Sequence, residues 1–214
     1  MMTLRRNMFA RDPDATASLC ASLRNEAYAL VPALLPQELL YALSEDCDAA
    51  QGAGKLREAG TGRAAVPHID QSLRGDSILW LERTSVDAPQ TQFFDHMDAL
   101  RLALNRELLL GLHEIEAHYA HYPAGAGYAR HRDRFRDDDA RVLSLVIYLN
   151  EDWGVEDGGE LRLHLPDGAR DVLPELGTSV LFLSAEIEHE VRPATRARRS
   201  IAGWFRRRGG TSLT

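Results

Sequence analysis

Apolar positions in the first half of the chain recur at spacings of three and four, and in the second half they gather into short runs. Leu39, Leu40, Leu43 and Cys47 fall on one stripe, predicting a helix that Pro36 opens and that continues to about Ala50. Phe93, Met97, Leu100, Leu104 and Leu108 mark a longer helix over 92–110. A short helix is expected over 15–29, an apolar strand over 28–34 and another over 77–82. Glycine and charge crowd residues 51–62, which read as a mobile loop that 63–70 continues.

After Gly111 the cadence changes. Runs rich in Val, Ile, Leu, Tyr and Phe occupy 114–122, 141–149, 160–165, 178–184, 189–192 and 200–206, separated by Gly, Pro and Asp. Regularly spaced short strands predict a β-sandwich or barrel. Helices first and strands after predict a sheet pair supported by helices on one side. Residues 142–149 are apolar nearly throughout, as in a strand covered on both faces.

With 214 residues and 44% hydrophobic content, one domain over 1–214 with its own core is expected, with 1–14 frayed. Lys and Arg number 25 against 32 Asp and Glu, a formal charge of −7. That balance argues against a nucleic-acid binder and against anionic membrane surfaces. No apolar run reaches the length of a membrane span, and the polar start lacks a secretory signal, so a cytoplasmic protein is expected. Cys20 and Cys47 match no zinc or redox spacing and read as reduced, half-buried thiols.

His131 and Asp133 form an H-x-D pair, and His189 lies in a later strand-like run. On an extended strand residues i and i+2 share a face, so this imidazole and carboxylate can reach one ion together. Two histidines and a carboxylate on one side of a metal leave positions open, which suits non-haem Fe(II) oxygen chemistry. His68, His96, His113, His118, His121 and His164 show no such arrangement and read as structural or surface residues. Arg198 follows His189 by nine residues and offers a planar fork for a carboxylate. On a strand Arg198 and Arg199 face opposite sides, so one can point inward while the other meets solvent.

Six segments in order then match one family. Residues 121–133 read H-Y-P-A-G-A-G-Y-A-R-H-R-D, 148–153 Y-L-N-E-D-W and 158–162 G-G-E-L-R. Residues 189–194 read H-E-V-R-P-A, and Arg198, Ile201 and Trp204 complete R-x-x-I-x-x-W. Upstream, 74–82 read R-G-D-S-I-L-W-L-E. Over about 28–206 the chain resembles the 2-oxoglutarate/Fe(II) oxygenases, and more narrowly prolyl hydroxylases of the hypoxia-inducible-factor type and their bacterial relatives.

The resemblance implies a mainly β fold, a double-stranded β-helix (jelly-roll) with N-terminal helices on one sheet. It implies His131, Asp133 and His189 as iron ligands. Arg198, which precedes the strand Trp by six as the family's basic residue does, would pair with the distal carboxylate of 2-oxoglutarate in preference to Arg199. Tyr148 would bond the same carboxylate, Tyr122 would lie beside the co-substrate, and Val146 and Leu161 would be apolar walls. Arg74, Asp76 and Arg141 would serve the substrate, Asp76 and Arg141 as a charged pair, with 51–76 as a mobile covering loop. Fe(II), 2-oxoglutarate and O2 are implied, with ascorbate as a supporting reductant and succinate and CO2 as co-products. Asp133 also favours hydroxylation, because related halogenases lack this carboxylate.

The implied partner is a proline-containing protein or peptide acted on by a monomer. A translation factor is a candidate, since bacterial relatives are associated with elongation factor Tu. A small-molecule oxygenase, a nucleic-acid demethylase and a non-catalytic barrel are the alternatives; retention of the R-G-D segment, the net charge and the intact ligands argue against them in turn. The chain departs from the animal enzymes in a loop one residue shorter between Y-P and G-Y, in Ala202 where they carry a hydroxyl, and in a loose match over 51–73.

Overall fold

The apolar stripes form three helices: α1 (Pro13–Glu26), α2 (Gln37–Gly52) and α3 (Pro89–Leu108). The computed structural model describes residues 13–60, 73–85, 88–134 and 140–208. Pro89 starts α3, where a missing N–H costs nothing. Leu109 ends it in the left-handed conformation, its N–H donating to the Asn105 carbonyl. The Asn105 side chain then exchanges hydrogen bonds with the backbone of Leu112 at 2.7 and 2.8 Å, fixing the turn into the sheet.

The strands are β1 (Tyr28–Pro32), β2 (Arg57–Glu58), β3 (Ser77–Trp80), β4 (Leu112–Tyr122), β5 (Tyr128–His131), β6 (Arg141–Tyr148), β7 (Leu161–Leu165), β8 (Gly168–Val172), β9 (Thr178–Leu183), β10 (Glu188–Val191) and β11 (Arg198–Arg207). They make a seven-stranded sheet, β1-β9-β6-β11-β4-β3-β2, and a four-stranded sheet, β5-β10-β7-β8. Every strand-to-strand pairing is antiparallel. Two facing antiparallel sheets, the larger backed by the helices, form the double-stranded β-helix.

Alternation along the strands divides the interior. Tyr119 of β4, Leu143 and Ile147 of β6, and Ile201 and Phe205 of β11 pack against Leu43, Phe93, Met97 and Leu100 of the helices. Alternate residues turn between the sheets, where Tyr122, Tyr148, Leu161, Leu163, Val180 and Phe182 form a second cluster. A central strand of the larger sheet is thus covered on both faces, which is why β6 reads as a continuous apolar run.

Several expectations are corrected. Residues 13 and 14 belong to α1 rather than to a frayed start. Within the expected loop over 51–76, Gly52 closes α2, and Arg57 and Glu58 pair with Ile78 and Ser77 of β3. At its far end Arg74 bridges Tyr128, and the Gly75 N–H donates to the Gly127 carbonyl. Residues 61–72 of that segment, and 1–12 at the start, lie outside the described residues. The half-buried thiols are fully buried, Cys20 and Cys47 facing the core at 2% and 0% exposure. Burial pushes the Cys47 thiol up to about 12, so it is a packing residue. β5 and β8 carry too few apolar residues to have been read as strands; Gly168–Val172 is exposed at four of its five positions.

Candidate active site

β5 and β10 bring the first two candidate ligands together. His131 is the last residue of β5 and the direct cross-strand partner of His189, their rings 4.2 Å apart. Asp133 lies past the strand end, in the turn that follows, so the same-strand geometry expected for H-x-D is not what presents it. Its oxygens nonetheless lie 3.6 Å from His131 Nε2 and 3.7 Å from His189 Nε2. One ligand atom from each residue lies within 4.8 Å of the others, close enough to share one ion.

The backbone sets both tautomers. His131 Nδ1 lies 2.7 Å from the Ala129 carbonyl, and His189 Nδ1 lies 3.3 Å from that of Ile187. Each Nδ1 therefore carries the proton and donates, leaving Nε2 a lone pair that faces the carboxylate. Burial pushes His189 down to about 4 against the pull of Asp133. Burial alone would raise the Asp133 carboxyl, but the two imidazoles and the Ser144 hydroxyl outweigh it and hold the group well below the carboxylate range. A neutral His189 and an anionic Asp133 are the protonation states a divalent cation requires.

These residues line one wall of a cavity of about 550 Å³ between the sheets. Arg198 lies in its wall, 2% exposed, with its guanidinium 5.1 Å from the Tyr122 ring and 5.0 Å from the Tyr148 ring. Its Nε and Nη1 and the Tyr148 hydroxyl are buried without a hydrogen-bond partner. A buried guanidinium without an anion is costly, so this pair is built for an anionic ligand. Arg199 faces the other way and pairs with Asp48 on α2. Val146 and Leu161 complete the apolar lining.

Another part of the cavity lining is aromatic and charged. Trp80, His118 and Trp204 cluster there, His118 edge-on to Trp80 with centroids 5.1 Å apart. Arg141 lies 3.7 Å over the Trp204 ring and pairs with Glu116 at 2.9 Å. The expected Asp76–Arg141 pair is corrected: the ion pair of Asp76 within the described residues is with Arg74, bidentate at 2.7 and 3.0 Å. Arg74 reaches Asp76 because the two residues are i and i+2 on the extended segment entering β3. Arg74 also lies 4.9 Å over the Tyr128 ring, which stacks on His131 with centroids 3.7 Å apart.

This site agrees with what the chain is similar to. The profile of the 2OG-Fe(II) oxygenase superfamily matches residues 117–206, which hold all three candidate ligands and Arg198. The solved structure of a Pseudomonas putida prolyl-4-hydroxylase is 42% identical, with a TM-score of 0.83 over 90% of this chain and 99% of that one. The chain belongs to the 2OG-Fe(II) oxygenases. Human Egl nine homolog 1 is 33% identical over 146 residues, 63% of this chain; the chain spans 33% of that relative's length. A Trichoplax adhaerens prolyl hydroxylase, solved with a hypoxia inducible factor peptide fragment, shares the fold with a TM-score of 0.82 at 21% identity. The family's reagents are Fe(II), 2-oxoglutarate and O2.

The structure therefore gathers His131, Asp133, His189, Arg198, Tyr122, Val146, Leu161, Arg74, Asp76 and Arg141 around one cavity, with Tyr148 against Arg198. Sequence reasoning missed His118, Trp80 and Ser144. His118 and Glu116 continue the alternate positions of β4 back from Tyr122, and counting by two would have found them. Ser144 announced itself as a hydroxyl inside an otherwise apolar run.

Proposed function

We propose that this chain is a 2-oxoglutarate- and Fe(II)-dependent dioxygenase that hydroxylates a prolyl residue of a protein. The observation that carries the reading is Arg198. Its buried guanidinium has Nε and Nη1 without a hydrogen-bond partner among the described residues, in the wall of the cavity that His131, Asp133 and His189 also line. The similarity to prolyl hydroxylases supports the substrate class.

The residues present fit the cofactors. His131 and His189 through Nε2, and Asp133 through a carboxylate oxygen, would hold the iron. Fe(II) with 2-oxoglutarate and O2 supplies the oxidising power, one oxygen atom going to the new hydroxyl and one to succinate as CO2 leaves. Arg198 and Tyr148 bind the distal carboxylate, which favours a five-carbon diacid over a shorter keto acid. Tyr122 flanks the co-substrate, while Val146 and Leu161 keep water from it. Trp80, Trp204 and Arg141 form the side from which a polypeptide enters, and the Arg74–Asp76 pair shapes its rim.

Succinate release from 2-oxoglutarate is expected from the Fe(II)-loaded chain. It should be abolished in His131→Ala and recovered in Arg198→Ala only at high 2-oxoglutarate. Elongation factor Tu is the first substrate to try, by mass spectrometry of hydroxyproline in cells with and without the chain. No altered prolyl site in any protein, together with turnover on a free amino acid, would replace the protein-substrate reading by a small-molecule one.

A further inference from the structure

Two buried serines stand behind the Asp133 carboxylate. Ser144 on β6 and Ser184 just past β9 are 1% and 0% exposed. A hydroxyl in such a place is costly unless it is bonded. Ser144 Oγ lies 2.7 Å from Asp133 Oδ2 and 2.8 Å from Ser184 Oγ. The donors can be assigned. An ionised carboxylate only accepts, so Ser144 must give its proton to Asp133, and Ser184 must then donate to Ser144. The relay runs from Ser184 through Ser144 to one carboxylate oxygen.

Asp133 needs such a hold. It lies beyond the end of β5, so no ladder of strand hydrogen bonds fixes it. The next residue is tied to the same place, the Arg134 N–H donating to the Ser184 carbonyl at 3.2 Å. Ser184 thus anchors the turn through its backbone and the carboxylate through its hydroxyl. Oδ2 takes the Ser144 hydrogen bond and lies 3.7 Å from His189 Nε2, while Oδ1 lies 3.6 Å from His131 Nε2, so the carboxylate faces both imidazoles.

We propose that Ser144, set by Ser184, is the positioning residue of the metal site, holding the Asp133 carboxylate between the His131 and His189 imidazoles in the orientation that lets all three residues reach one ion. The inference rests on the reading of Asp133 as a metal ligand and adds to it a second layer on β6 and β9. Partners of this kind typically change metal affinity by roughly 10- to 100-fold when lost.

Anaerobic titration with Co(II), followed by its ligand-field absorption, tests this without turnover. Ser144→Ala should bind Co(II) roughly 10- to 100-fold more weakly than the unaltered chain and with a changed spectrum. Ser144→Thr, which keeps the hydroxyl on a strand that suits a β-branched residue, should restore both. Ser184→Ala should fall between, and it carries the test should Ser144→Ala fail to fold. Unchanged affinity and spectrum in Ser144→Ala or Ser184→Ala would overturn the proposal. So would a Ser144→Thr variant as weak as Ser144→Ala, since packing and not the hydroxyl would then matter. Asp133→Ala separates the two layers: if it too binds Co(II) normally, the metal-site reading itself fails.

Discussion

Arg198 is a side chain whose burial costs stability in the ligand-free chain. Its guanidinium is buried beside two tyrosines with no anion among the described residues. Arg198→Met should raise the melting temperature of the ligand-free chain by a few degrees, because an uncompensated buried charge is removed. The same variant should lose about 2–3 kcal/mol of 2-oxoglutarate binding, roughly 30- to 150-fold, measurable by calorimetry on the metal-loaded protein. His118 makes a second residue-scale case. Burial pushes it down to about 4, Arg74 and Arg141 adding to the shift and Asp76 opposing it. Below its ordinary value of 6.5 the unfolded chain takes up a proton that the folded chain refuses until about pH 4. Stability is therefore full above pH 6.5 and falls as pH drops toward 4. From pH 7 to pH 5 this one imidazole should remove about 2 kcal/mol, and urea denaturation of His118→Gln should show a correspondingly shallower pH dependence.

At the scale of elements, the active site is a matter of which short segments lie against β5. The 74–76 segment is held to it by the Arg74–Tyr128 bridge, by the Gly75–Gly127 hydrogen bond and by the Arg74 guanidinium over the Tyr128 ring. Asp76 is fully buried, so Asp76→Ala leaves Arg74 without its partner. It should cost about 3–5 kcal/mol in a denaturant titration. On the other side, a Cβ at Gly127 would meet the Val191 carbonyl oxygen at 2.6 Å, and backbone cannot give way as a side chain can. Gly127→Ala should push β5 from β10 and separate His131 from His189. Metal affinity should fall by roughly tenfold or more while far-ultraviolet circular dichroism stays unchanged. The long elements were legible because α2 and α3 bury a helical stripe and β4, β6, β9 and β11 are long runs rich in apolar residues. β2, β5 and β8 were not, because two to five residues with little apolar content carry no period.

For the whole molecule, the separation between the helix-backed core and the inter-sheet cluster means that the fold does not hang on its ligands. A chelator should leave a cooperative unfolding transition in place. Metal with 2-oxoglutarate at about a hundred times their dissociation constants should add roughly 2.7 kcal/mol, a rise of some 5–10 °C in thermal denaturation. The sequence by itself determined the helices-then-strands order, the rule that Arg198 and Arg199 face opposite sides, and the residue types that line the cavity, since those follow from local period and residue type. Tertiary structure alone decided the rest. That Asp133 is presented from a turn, that Asp76 pairs with Arg74, and that Ser144 and Ser184 stand behind the carboxylate all depend on strands far apart in the chain being packed against one another. Pairing partners 40 residues apart leave no periodic trace in a sequence, because what joins them is the register of a sheet and not the spacing along a strand.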